Sequence, residues 1–156
     1  MAHVGVSSEF EFKRRHMGKR TVGFVCGAFD FVHAGHVALF EECKKRCDYL
    51  IVGLQTDPSV SRIPLKEYAD RKKQKPVMSL EERYRMLRGN KWVDAVLVYE
   101  TEEELIALEK WLPVDFRFTG IENKGKPHYQ TRGKFIVIEG DNRFHSNEIR
   151  LRCAHS

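Results

Sequence analysis

The stretch Gly27-Ala28-Phe29-Asp30-Phe31-Val32-His33-Ala34-Gly35-His36 constrains this chain more than any other. Before it, Thr21 to Cys26 is short, apolar and nearly unbroken, as a strand buried on both faces requires. After it, Val37, Phe40, Cys43 and Cys47 recur at helical spacing. A strand therefore ends and a helix begins there, with His33 and His36 about one turn apart at the helix entrance. Both imidazoles can address one point. The free N–H groups and dipole of a helix N-terminus favour an anion, and two imidazoles add donors for phosphate oxygens. Gly27 and Gly35 let a bulky ligand approach the backbone.

The remaining elements alternate. Tyr49 to Leu54 reads as a second buried strand, ended by the turn signal Gln55-Thr56-Asp57-Pro58. Thr56 to Val77 is long, charged and poor in apolar residues, either a flap whose basic residues meet an anion or a solvated linker. Ser79-Leu80-Glu81-Glu82 is a capping box that starts a helix near Leu80, with Arg83 in its first turn. Ala95 to Tyr99 is a third strand, and Thr101 with Glu104 forms another capping box that opens a helix stopping at Pro113. Phe116 to Thr119 and Phe135 to Glu139 are strands, and Asn147 to Cys153 is a last short helix. This order predicts an α/β, Rossmann-like, doubly wound and mainly parallel five-stranded sheet in a single domain spanning 20–156.

Residues 1–19 have no clear amphipathic pattern and are set apart as a basic N-terminal arm or a leader that meets a native start near His16-Met17. The net charge of +5 is concentrated in that arm and in the basic residues between Arg62 and Lys75; elsewhere acidic residues outnumber basic ones. A nucleic-acid partner is therefore not expected. No apolar run approaches the roughly 20 residues of a membrane span, so a cytoplasmic protein without a membrane partner is expected. Cys26, Cys43, Cys47 and Cys153 lack metal-site spacing and read mostly as buried thiols. Gly120-x-x-x-x-Gly125-Lys126 fails as a P-loop because Pro127 stands where a Ser or Thr must be.

Strand, Gly-x-Phe-Asp, His-x-Gly-His and helix, in that order, resemble the signature of the nucleotidyltransferases with a His-x-Gly-His loop. Among these the chain is similar to the cytidylyltransferase family, typified by glycerol-3-phosphate cytidylyltransferase. The resemblance runs from about Thr21 to Arg150. It includes Lys44 with Asp48-Tyr49-Leu50, the turn Gln55-Thr56-Asp57, the segment Lys75 to Arg83, Trp92-Val93-Asp94-Ala95-Val96, and Asp115 to Gly120. Phe144-His145-Ser146-Asn147-Glu148-Ile149-Arg150 matches a helix-capping motif that holds nucleotide phosphates. Two departures stand out: Glu122-Asn123 replaces the usual Asp-Trp, and His145 replaces a serine.

The resemblance implies catalytic roles for His33, His36, Lys44 and Arg83, which would share the charge of a triphosphate. It implies nucleotide binding by Gly27, Ala28, Phe29, Asp30, Gly35, Lys75, Gly120, Arg143, Ser146, Asn147 and Arg150. Lys72 and Lys73 compete with Lys75 for one flap role. Mg²⁺ is the implied cofactor, bridging the phosphates with no protein side chain as its direct ligand; Asp30 either orients a magnesium-bound water or a histidine, or caps its own loop. The implied activity transfers CMP from CTP to a small phosphorylated alcohol such as glycerol 3-phosphate, releasing pyrophosphate, in a homodimer. The alternatives are adenylyl transfer from ATP to a sugar phosphate or flavin, and a nucleotide-binding module without catalysis.

Overall fold

The computed structural model describes residues 20–60, 74–121, 133–140, 143–144 and 146–155. The expected arm over 1–19, most of the flap, Lys72, Lys73, Glu122-Asn123, Gly125-Lys126 and His145 lie outside the described residues, as does the side chain of Ser146.

Five strands form one sheet: β1 (Val22–Gly27), β2 (Tyr49–Gln55), β3 (Ala95–Tyr99), β4 (Phe116–Gly120) and β5 (Lys134–Ile138). Their order is β3-β2-β1-β4-β5, and every pair is parallel. Helices α1 (Ala34–Lys44), α2 (Leu80–Arg88), α3 (Glu102–Trp111) and α4 (Ser146–Ala154) follow in chain order. The chain builds outward from β1 in one direction, then returns to lay β4 on its other side. That reversal opens a crevice beyond the carboxyl ends of β1 and β4, where open α/β sheets place ligands.

Side chains alternate between the two faces, as the period of a strand demands. Val25, Leu50, Val52, Leu54, Val96 and Phe118 pack with Phe40 and Cys43 of α1 and Leu87 of α2. Phe24, Ile51, Leu97 and Tyr99 pack on the other face with Leu105 of α3 and with Leu112. Full burial of a ring such as Phe24, Phe40 or Phe118 contributes about 2–3 kcal/mol. Gly23 and Gly53 make room for two of these rings: a Cβ would lie 2.4 Å from the Phe118 side chain at the first and 2.7 Å from Phe24 at the second.

The amino edge of the sheet is stapled by aspartates that precede strands. Asp48 accepts from the Thr21 N–H at 2.9 Å, Asp94 from the Leu50 N–H at 2.7 Å, and Asp115 from the Val22 N–H at 2.7 Å. Each carboxylate satisfies a donor at the start of the neighbouring strand. The predicted elements lie where expected, with ends displaced by one residue or so. At α3, Thr101 accepts from the Glu104 N–H at 3.1 Å, but Glu104 reaches back to the Glu100 N–H at 2.7 Å instead of closing the box on Thr101.

Candidate active site

His33 is the N-cap of α1, and its imidazole does the work usually left to Ser or Asp. Its Nδ1 accepts from the Gly35 N–H at 3.0 Å, while Nδ1 of His36 accepts from the His33 N–H at 3.2 Å. This is a capping box made of two histidines. An Nδ1 that accepts leaves the ring proton on Nε2, so the network assigns both rings the Nε2–H tautomer. The ring centroids are 4.0 Å apart, which brings the two side chains to one place, as their spacing predicted. Burial, and then the proximity of His33, lowers the His36 pKa to about 4, so that ring is neutral at pH 7. The first turn of α1 carries no acid, whereas α2, α3 and α4 begin with Glu81 and Glu82, with Glu102 to Glu104, and with Glu148. The dipole of α1 is left for an outside anion.

The loop that presents these rings is backbone-strained. Phe29 and Phe31 have φ of 47° and 51°, the left-handed region that costs a side chain roughly 1 kcal/mol or more. Phe29 compensates by packing: its ring is buried, 5.5 Å from the His36 ring and 5.4 Å from Phe40. Gly27 ends β1, and Ala28 offers its carbonyl to Arg83 at 2.9 Å. Gly35 has a packing reason: a Cβ there would lie 2.8 Å from the Phe144 carbonyl oxygen and 2.8 Å from the His33 ring. The 143–144 segment, which leads into α4, is thus pressed against the entrance of α1. Two helix N-termini converge on one crevice.

Asp30 caps its surroundings. Oδ1 accepts from the Met78 N–H at 2.9 Å; Oδ2 accepts from the Val77 N–H at 2.9 Å and from Arg150 at 2.6 Å. Both oxygens are committed, which does not fit a ligand of magnesium. Arg150 is held by this pair and lies over the Phe31 ring at 5.5 Å.

Two of the expected catalytic residues have protein partners of their own. Arg83 was expected to face the phosphates; the residue is 2% exposed, and its guanidinium donates to the carbonyls of Met78, Ala28, Gln55 and Thr56. It lies on the core-facing stripe with Leu80 and Leu87, so the helix carries it inward. Lys44 was expected to share the triphosphate charge, but it ends α1 at the amino edge of the sheet, roughly 12 Å of helix rise beyond His36. There its ammonium pairs with Asp94 and donates to the Asp48 carbonyl at 2.6 Å.

The other expected residues sit on separate elements. Lys75 is exposed at the foot of the flap, Gly120 is buried at the end of β4, and Asn147 is exposed in the first turn of α4. Arg143 stacks over Phe144 at 5.3 Å. Sequence reasoning overlooked the Phe144 carbonyl and the left-handed Phe31, neither of which any side-chain pattern announces. It also overlooked the buried Glu109–Arg117 ion pair, in which Arg117 donates to Cys26 Sγ at 3.0 Å. That signal was available: Glu109 falls on the Leu105–Leu112 stripe.

Comparison with known proteins agrees with the fold. A family model described as cytidylyltransferase-like matches residues 24–150. The bifunctional protein HldE of Granulibacter bethesdensis is 39% identical over 102 residues, 65% of this chain and 19% of the relative. HldE of Campylobacter concisus is 34% identical over 122 residues, 78% of this chain and 24% of the relative. The chain therefore spans about a fifth to a quarter of these curated relatives. The crystal structure of the lipopolysaccharide core biosynthesis protein of Thermoplasma volcanium superposes with a TM-score of 0.60 at 18% identity, covering 79% of this chain and 99% of that one. At that identity the likeness is one of fold.

Proposed function

The chain belongs to the cytidylyltransferase-like family of the nucleotidyltransferase superfamily, and from that premise we propose that it transfers a nucleotidyl group from a nucleoside triphosphate to a phosphorylated small molecule. The observation that carries this reading is the reciprocal His33–His36 cap, whose Nδ1 engagement leaves Nε2–H on both rings at the entrance of a helix with no acid in its first turn. An acceptor phosphate, with a second pKa of about 6, is largely dianionic at pH 7 and needs no strong base. One of its oxygens attacks the α-phosphorus; the new P–O bond forms as the bond to the bridging oxygen of the β-phosphate breaks, and pyrophosphate leaves. Charge gathers on that leaving group, and donors fixed before the reaction stabilise it without reorganising. Mg²⁺ enters as part of the triphosphate substrate. Lys75, Arg143 and Asn147, all exposed, would supply further donors and charge to the bound triphosphate.

Two donor readings follow. Transfer of CMP from CTP to glycerol 3-phosphate rests on the sequence resemblance and on the family description. Transfer of AMP from ATP to a sugar phosphate is favoured by two observations. The relatives at 34–39% identity are named HldE, not glycerol-3-phosphate cytidylyltransferase. The Asp-Trp next to the strand that approaches the base is replaced by Glu122-Asn123. Pyrophosphate release, measured with each of the four triphosphates and Mg²⁺ against phosphorylated alcohols and sugars, decides between them. Turnover that requires His36 and one triphosphate supports the proposal and names the donor. Nucleotide binding without turnover by any pair would leave only a binding module.

A further inference from the structure

We propose that Arg83 is a positioning residue: together with Asp30 it closes a ring of hydrogen bonds that holds the strained histidine loop in its donor-presenting shape, without itself touching the triphosphate. This rests on the nucleotidyl-transfer reading above for its kinetic consequence, though not for its geometry.

The donors of Arg83 are nearly used up by backbone. Nε donates to the Met78 carbonyl at 3.1 Å, Nη1 to those of Ala28 at 2.9 Å and Gln55 at 2.7 Å, and Nη2 to that of Thr56. Those carbonyls belong to three segments: the loop after β1, the end of β2 and the foot of the flap. Asp30 grips the flap foot from the other side through the N–H groups of Val77 and Met78. Met78 is thus held at its N–H by Asp30 and at its carbonyl by Arg83, while Arg83 also holds Ala28, two residues before Asp30. The ring so closed runs through Ala28, Arg83, Met78 and Asp30.

Phe29, with its positive φ, sits between the two loop anchors, and its ring backs His36. If the anchors slacken, Phe29 and Phe31 can relax toward ordinary φ, and the ring behind His36 leaves its place. A planar guanidinium spans carbonyls in different directions; the point charge of a lysine cannot. A residue in contact with phosphate has different requirements, since charge is then most of what matters.

The test compares Arg83→Lys and Arg83→Met in enzyme kinetics and in an NMR titration of His36 without nucleotide. The expected result is that Lys rescues little. In both variants kcat falls about 100-fold, the cost of a misplacement of roughly 1 Å, while KM for the triphosphate changes less than about threefold. In both, the His36 pKa rises from about 4 toward its ordinary 6.5 as its burial loosens. Should the Arg83 variants not fold, Asp30→Asn opens the same ring from the other anchor, and the same rise in His36 pKa is expected. An unmoved His36 pKa in a folded variant, or a Lys variant that recovers most of kcat while KM rises tenfold or more in Met, would overturn the proposal. If the wild-type protein turns over no triphosphate, nucleotidyl transfer fails as a reading, and the His36 titration alone still decides whether the ring holds the loop.

Discussion

His33 carries two duties on one ring: Nδ1 caps α1, and Nε2–H is the proposed donor to the triphosphate. The duties separate by substitution. Asn at this position keeps a cap acceptor but has no equivalent of Nε2–H. His33→Asn is expected to melt within about 2 °C of the wild type by calorimetry while kcat falls roughly 10²- to 10³-fold, the usual loss for one transition-state donor. His36 makes a pH prediction. Its folded pKa, about 4, lies below the unfolded 6.5, so the unfolded chain binds the proton first and stability rises with pH between those values. The contribution is complete above about pH 6.5 and is lost as the pH falls toward 4, on the order of 3 kcal/mol in all. Urea unfolding at stepped pH should give a steeper loss over that window in the wild type than in His36→Gln; equal slopes would remove His36 as the cause. The histidine pair was legible from spacing because two residues three apart at a helix entrance must meet. The Nδ1 engagement was not, since the choice of ring nitrogen depends on backbone N–H groups that no sequence pattern locates.

At the scale of the element, α1 is anchored at both ends by different chemistry. Its entrance carries no acid in the first turn, and its exit is pinned to the sheet by Lys44 and Asp94. The ion pair is about a quarter exposed and partly screened. Lys44→Met is expected to cost about 1 kcal/mol in denaturant unfolding and to leave kcat/KM within about twofold; a hundredfold fall in kcat would return Lys44 to the reaction. On α3 the corresponding anchor is buried. Glu109→Ala strands the Arg117 guanidinium in the interior and is expected to cost about 3 kcal/mol or more. Glu109→Met combined with Arg117→Met should cost clearly less, a comparison that a thermal-unfolding cycle makes directly. Helix starts were readable from Ser79 and Thr101 because caps are local. The partners of Arg83 and Lys44 were not legible because a motif says that a cation is near a helix, whereas the stripe it occupies decides what it touches. Arg83 shares its stripe with Leu87 and goes inward; Lys44 lies about three turns beyond the cap and ends at the far edge.

Across the whole molecule, the parallel sheet puts every loop that follows a strand at one edge and every strand-leading aspartate at the other. Asp48, Asp94 and Asp115 fix the register of the amino edge, so the carboxyl edge can spend strain at Phe29 and Phe31. Alternation of strands and helices made the architecture legible, since buried parallel strands must be unbroken and apolar. The long-range ties were not: Asp30 lies 47 residues from Val77 and 120 from Arg150, and only the folded chain brings them together. Among the described residues no helix is long and apolar enough to cross a membrane. The central claim is that His33 and His36 present neutral Nε2–H donors to a triphosphate. Long-range ¹⁵N–¹H NMR of the histidines at pH 7, before and after adding Mg²⁺ with CTP or ATP, measures this at the atoms concerned. The expected result is two neutral Nε2–H rings whose Nε2 signals, and not their Nδ1 signals, shift with the triphosphate that supports turnover. Rings that are protonated, carry the proton on Nδ1, or remain unmoved by every nucleotide would contradict it.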